Sequence, residues 1–275
     1  MSIWSTIKKH YALVSIVLFY LALFLPAIGS VHLFDWDEIN FAEAAREMLV
    51  TGDWINVQIN YQPFWEKPPL FIWLQAASMR LFGVTEFAAR FPNVIVGLVT
   101  IFALYIPVYK RYSKQAAVFT VMLYIGSLTP HFYFKSGIID PLFNLFIYLG
   151  VLQLVKSVEK PSHRTFFLSG IFLGLAVVTK GPVALLLVGL AGLFYQLVYR
   201  VHFYSFKNLL MLSLGLFSVL GLVFGFQVYE NGFWFLQEFT KYQIDLFREP
   251  IASHGQPFYY HFVVLLIGCF PLFIL

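Results

Sequence analysis

Cysteine is nearly absent from this chain: Cys269 is alone, which excludes an internal disulfide and leaves no basis for a cysteine-built metal site. Charge is scarce as well. Only 12% of the residues are Asp, Glu, Lys or Arg, where a soluble domain carries about 25%. Also missing are a spaced His/Cys cluster, a phosphate-cradling glycine loop, a Gly-x-Ser-x-Gly elbow and a nucleotide-binding fingerprint. Chemistry driven by a cytosolic nucleotide therefore has no visible handle.

Apolar residues are present in excess. They make up 60% of the 275 positions, with 32 Phe and 16 Tyr, and the mean hydropathy is +0.76. A globule of this size cannot hide that much apolar surface from water, so the solvent is lipid. Disorder, coiled coil and collagen are excluded by the same figures. A membrane-crossing helix needs about 20 mainly apolar residues. Eight stretches qualify, near 11–30, 91–109, 116–134, 138–155, 165–180, 182–199, 208–229 and 258–275. The first ends at Pro26 without a small-residue cleavage site and reads as a retained span, not a signal peptide.

The net charge of +4 is distributed as a topology, not as a nucleic-acid surface. With a cytoplasmic N-terminus, the inside segments hold ten basic residues and one acid, Glu159. The outside holds eight basic residues and 13 acids, the asymmetry that cytoplasmic loops of membrane proteins show. The expected fold class is all-α integral membrane: a polytopic helical bundle, one region over 1–275, with external loops at 31–87 and 231–257. The chain stops inside an apolar run with no flanking charge, and the expectation is an N-terminal part of a longer protein.

The first external loop is the least membrane-like part. Residues 38–50 place Ile39, Ala42, Ala45, Met48 and Leu49 at helical spacing, an amphipathic helix that Thr51-Gly52-Asp53 ends. Pro68-Pro69 opens a second apolar helix running to about Leu81, too short to cross. Two such interfacial helices over the spans would roof an outward-facing cavity.

Asp37 and Glu38 head the first of these helices. Asp37 is either an N-cap, with Glu38 favouring the helix dipole, or a carboxylate that accepts a proton from an incoming hydroxyl. Glu66-Lys67 before Pro68 is either a surface ion pair or a stiff element in which Lys67 meets a lipid phosphate and Glu66 ligates a metal. Asp140 before Pro141 reads as an ordinary helix start. Lys180 ends the fifth span on the outer side, either snorkelling to headgroups or meeting a phosphate; Lys135 carries the same two readings. His254 is either a solvated loop histidine or a metal ligand.

Taken in order, several motifs resemble a known family. They are Asp37-Glu38 followed by Phe-Ala-Glu-Ala-Ala-Arg-Glu-Met-Leu and Gly52-Asp53-Trp54, and Glu66-Lys67-Pro68-Pro69 with Trp73. Thr85-Glu86-Phe87-Ala88-Ala89-Arg90-Phe91-Pro92, Ile139-Asp140-Pro141, Thr179-Lys180-Gly181-Pro182 and His254-Gly-Gln-Pro-Phe-Tyr-Tyr follow. The chain resembles the membrane glycosyltransferases of the type C fold, in the group that holds the aminoarabinose transferases of lipid A and the protein O-mannosyltransferases. The resemblance runs from about residue 10 to the end. It implies a polyprenyl-phosphate sugar as donor, a lipid, glycan or protein acceptor, and transfer on the outer face of a bacterial inner membrane. It further implies Asp37 as the catalytic carboxylate beside Glu38, Lys67 and Lys180 at the donor phosphate, and Asp140 lining the cavity. Glu66 and His254 would hold a divalent ion (Zn, Mg or Mn). Many members of the family carry Arg-Tyr-Ala after the Asp-Glu pair, where this chain has Asn40-Phe41-Ala42. The departure lies near the acceptor side, and the resemblance leaves open whether lipid A is the acceptor.

An inverting transfer suits these residues. A lipid phosphate leaves readily when a cation neutralises it, and in-line displacement needs one carboxylate base. The competing function is a transporter or flippase of lipid-linked sugars, with Lys135, Asp140 and Lys180 along a pathway; its signature would be broken helices and repeated halves. A structural membrane subunit is the third reading, and 13 external acids argue against it.

Overall fold

The computed structural model describes residues 3–34, 36–160, 162–200, 205–248, 257 and 259–270. In chain order the elements begin with α1 (Ile3–Phe24), α2 (Asp37–Thr51), β1 (Gln58–Ile59), β2 (Gln62–Pro63) and α3 (Leu70–Phe82). Next come α4 (Glu86–Arg111), α5 (Lys114–Gly126), α6 (Leu128–Phe134), α7 (Asp140–Glu159) and α8 (His163–Lys180). Last are α9 (Val183–Tyr199), α10 (Phe206–Asn231), α11 (Trp234–Arg248) and α12 (Tyr260–Gly268).

The predicted spans fall on α1, α4, α5 with α6, α7, α8, α9 and α10, the last of them on α12 as far as the described residues run, and α2 and α3 lie where the two interfacial helices are expected. By length and composition α4, α7 and α10 are each able to cross a membrane. The pair α5 and α6 adds a fourth span, bent by 69° at Ser127. The other predicted spans are shorter or more polar: Tyr11–Phe24 of α1 and all of α9 fall below the usual crossing length.

Local chemistry sets the boundaries. Thr85 caps α4, its hydroxyl accepting the Ala88 amide at 3.2 Å; Glu86 lies in the first turn and Lys110 and Arg111 in the last, all matching the helix dipole. Ser113 and Ser205 cap α5 and α10 in the same way. Gly181, at φ 119°, turns the chain from α8 into α9, a conformation in which a side chain would be strained.

Two findings lie outside the sequence expectation. A small antiparallel hairpin interrupts the first loop, pairing Ile59 with Gln62 and Gln58 with Pro63. Its two turn residues, Asn60 and Tyr61, both have positive φ (56° and 58°), as a two-residue hairpin turn of matching twist requires. The second loop, read from sequence without secondary structure, contains α11.

The chain divides into two compact units. In the first (Met1–Ala42, Ala77–Pro141, Gly255–Leu275), α1 meets α4, α5 and α6. Tyr20 stacks on Phe24 at 4.5 Å, Phe134 sets its edge against both rings, and the Tyr20 hydroxyl donates to the Val94 carbonyl at 2.8 Å. Gly97 leaves the room this requires, since a methyl there would collide with Tyr20.

In the second unit (Glu43–Ala76, Leu142–His254), α8 and α10 lie close against each other. Gly170 and Gly215 face the opposite backbone, and a Cβ on either would strike a carbonyl, Leu212 or Phe167. Lipid tails supply no hydrophobic drive between helices, so close backbone approach at small residues does the holding. Phe166, Leu173, Val177, Val188 and Leu216 fill the space around them.

Candidate active site

The residues singled out from sequence fall into two groups, one in each unit. Asp37, Glu38 and Asp140 belong to the first, and Glu66, Lys67 and Lys180 to the second. His254 lies outside the described residues.

In the first unit the organising group is a buried ion pair. Arg90, one turn into α4, donates through Nε to Glu38 Oε1 at 2.8 Å and through Nη2 to Oε2 at 2.9 Å. Its remaining hydrogens go to the carbonyls of Ile28 (2.6 Å), Val31 (2.7 Å) and His32 (2.9 Å). Glu38 also accepts the amides of Phe34 (2.7 Å) and Gly137 (2.5 Å). A charge inside an apolar helix is expensive unless paired and fully hydrogen-bonded, and this one is. Asn93, one turn further along α4, donates to the carbonyls of Ser136 and Ile138, both at 2.7 Å. The segment leading into α2 and the segment leading into α7 are thereby tied to one face of α4.

Four donors occupy the Glu38 carboxylate, which joins the segments around it to α4. Asp37 is differently placed. It opens α2, is half-buried, and takes no hydrogen bond or ion pair from another described residue. The cap expected of Asp37 is instead Trp36, whose carbonyl accepts the first helical bond from Asn40 at 3.0 Å. Trp36 has a φ of 69°, a left-handed conformation that costs a non-glycine residue energy and persists only where its surroundings enforce it. Asp140 is the first residue of α7, half-buried, directly after the segment that Asn93 and Glu38 hold.

In the second unit the chain before α3 is held against α11. The Lys67 ammonium lies 5.2 Å from the centre of the Tyr242 ring, and Trp65 meets Trp234 edge-on at 6.4 Å. The Lys180 ammonium stands 5.7 Å from the centre of the Phe143 ring. Glu66 is half-buried. Among the described residues no three His, Cys, Asp or Glu side chains gather closely enough to hold a metal ion. The described residues alone do not make the implied metal site.

The preceding loop is equally well determined. Asp53 Oδ1 accepts the amides of Ile55 and Asn56, each at 3.0 Å, and Oδ2 accepts the Asn56 side chain at 2.8 Å. Burial alone would raise the Asp53 carboxyl; the hydrogen bonds from Asn56 and Ile55 outweigh it and leave the group below its ordinary value. Asn231 and Gln227 of α10 then reach Asn56 Oδ1 (2.5 Å) and the Ile55 carbonyl (3.2 Å), while Trp73 Nε1 donates to the Trp54 carbonyl at 2.6 Å. On α2, the two hydrogen bonds from Arg46 hold the Glu43 carboxyl below its ordinary range.

In sequence Arg90 stands inside a motif that gives it no role, and Asn93 lies just beyond that motif. The signal was available: a cation and an amide one turn apart on an otherwise apolar helix must both find partners.

The chain is similar to known proteins. Residues 66–224 match the family described as dolichyl-phosphate-mannose-protein mannosyltransferase. The undecaprenyl phosphate-alpha-4-amino-4-deoxy-L-arabinose arabinosyl transferase of Edwardsiella ictaluri (strain 93-146) is 30% identical over 262 residues, covering 93% of this chain and 47% of the relative. The crystal structure of ArnT from Cupriavidus metallidurans in the apo state superposes with a TM-score of 0.78 at 23% identity, covering 95% of this chain and 48% of that one. The same protein bound to undecaprenyl phosphate gives 0.72 at 21% identity, covering 93% and 48%. The chain thus has the fold of these membrane proteins and spans about half the length of the relatives it matches. With the family match extending over more than half of its length, this integral membrane chain belongs to the dolichyl-phosphate-mannose-protein mannosyltransferase family.

Proposed function

We propose that the protein is an inverting glycosyltransferase that moves a sugar from a polyprenyl-phosphate donor to an acceptor hydroxyl or phosphate at the outer face of a bacterial inner membrane. The observation that carries this is the contrast between two neighbouring acids. Glu38 is saturated by Arg90, Phe34 and Gly137, while Asp37 stands beside it on a rigid frame without a partner among the described residues. A carboxylate so held is suited to orient and deprotonate an incoming hydroxyl. The acceptor oxygen then attacks the anomeric carbon as the bond to the lipid phosphate breaks, with inversion and the electron pair leaving on the phosphate. Lys67 and Lys180 are the cations assigned to the phosphate, where they offset the charge that develops on it. Asp140 is assigned to the cavity wall. The names of the similar proteins, which specify undecaprenyl phosphate and an aminoarabinose donor, support the donor class. Glu66 and His254 as ligands of a divalent ion rest on resemblance alone.

The second reading, a transporter or flippase, draws on the 69° break between α5 and α6, since broken helices line transport sites. No charged residue sits at that break, where Gly126, Ser127 and Leu128 meet, so transfer is the better reading. The full-length protein, reconstituted in liposomes with a labelled polyprenyl-phosphate sugar on either leaflet, separates the two. Label appearing on an acceptor supports transfer. Label moving between leaflets without any transfer overturns it in favour of transport.

A further inference from the structure

α11 touches both lysine-bearing segments of the second unit through consecutive residues. Tyr242 lies under the Lys67 ammonium, and Gln243 lies against Gly181, the residue after Lys180, where a Cβ would meet its Oε1 at 2.9 Å. Trp234, about two turns earlier on the same helix, holds Trp65. The Trp65–Lys67 stretch is thus clamped at both ends, and its backbone is stiffened from the other side by Pro68 and Pro69, both buried.

A lysine is a poor recognition element when its four-carbon stem is loose, because ordering the stem consumes much of what the charge gains. An aromatic face removes part of that cost: the ring quadrupole attracts the ammonium and fixes its direction without neutralising it, as a carboxylate would. We propose that Tyr242 is a positioning residue for the donor's lipid phosphate, its ring aiming the Lys67 ammonium at that phosphate. The proposal rests on the reading of Lys67 as a phosphate-binding cation. What is required of residue 242 is an aromatic face and not a hydroxyl, and the effect of losing that face depends on Lys67.

The test is equilibrium binding of undecaprenyl phosphate to the full-length protein in nanodiscs. Variants are Lys67→Ala, Tyr242→Phe, Tyr242→Leu and the double Lys67→Ala/Tyr242→Leu, each checked for fold by its thermal unfolding. Tyr242→Phe is expected to bind within about twofold of wild type, and Tyr242→Leu about threefold to tenfold more weakly. Lys67→Ala is expected to bind poorly, and the double variant no worse than Lys67→Ala. Tyr242→Met replaces Tyr242→Leu if the latter is not recovered folded. Wild-type binding by the ring-less variant overturns the proposal. So does a loss that persists in full on the Lys67→Ala background, because the ring would then act elsewhere. Unchanged binding by Lys67→Ala overturns the phosphate reading together with the proposal, and is told apart from the other two results by that variant alone.

Discussion

Glu38 and Arg90, 52 positions apart in the chain, meet as a two-pronged ion pair at 2.8 and 2.9 Å with both side chains buried. Through the backbone groups that each also binds, the pair ties Ile28, Val31, His32 and Phe34, α4 and the segment before α7 into one frame. Asp37 is held at the edge of that frame.

Removing one partner leaves the other charged, buried and unpaired. Arg90→Leu is expected to lower stability by about 3–5 kcal/mol, read as thermal unfolding in detergent. The double variant Glu38→Leu/Arg90→Leu recovers part of that loss, because no orphaned carboxylate remains. An Arg90→Leu protein as stable as wild type would show that the pair does not organise this unit.

Asp37→Asn keeps the shape of the side chain and removes the base. Transfer is expected to fall by about 10²–10⁴-fold, with undecaprenyl phosphate binding and the unfolding temperature unchanged. Normal turnover by this variant would remove Asp37 from the mechanism.

Chelation tests the metal assignment separately. If Glu66 and His254 hold a divalent ion, dialysis against EDTA lowers transfer, and Glu66→Gln lowers it to the same level and is insensitive to EDTA. Activity indifferent to both treatments excludes the ion.

Gly215 and Gly221 lie on the same helix and predict opposite outcomes. A methyl at 215 meets the Phe167 carbonyl, and Gly215→Ala is expected to cost about 1–3 kcal/mol as α8 and α10 are forced apart. Nothing lies within 4 Å of the corresponding point at 221. Gly221→Ala is therefore expected to be neutral or slightly stabilising, since alanine loses less entropy in a helix. Paired unfolding scans decide this.

Asp53 supplies a pH-dependent prediction. Its folded value is depressed, so its contribution is fully present above the ordinary carboxylate value of about 3.9 and fades as pH falls through the lower, folded value. Asp53→Asn is expected to unfold at a lower temperature than wild type between about pH 5 and 8, with the gap closing below about pH 4. A gap that stays constant into acid would mean that the lost hydrogen-bond geometry, and not the charge, is responsible.

Much of this molecule is legible in one dimension. Each span is an apolar run because lipid tests residues almost one at a time, so α4, α7 and α10 appear as hydropathy and their ends as caps, glycines and charges. The amphipathic spacing of Ile39, Ala42, Ala45 and Met48 announces α2, and Pro68-Pro69 announces α3. α11 is legible in the same way, since Trp234, Phe235, Phe239 and Tyr242 fall on one side of a helix.

The different surroundings of Asp37 and Glu38 could be decided only by the tertiary structure. Side by side in sequence, the two carboxylates have the same chemistry. One is consumed by Arg90 and the Gly137 amide, 52 and 99 positions away, and the other is not. Likewise Lys67 shows in sequence as a cation before two prolines, while the ring beneath it arrives from a helix far along the chain. Hydropathy is a property of segments and can be read locally. The partner of a buried charge depends on which distant atoms packing brings within about 3 Å, and no local pattern encodes that choice.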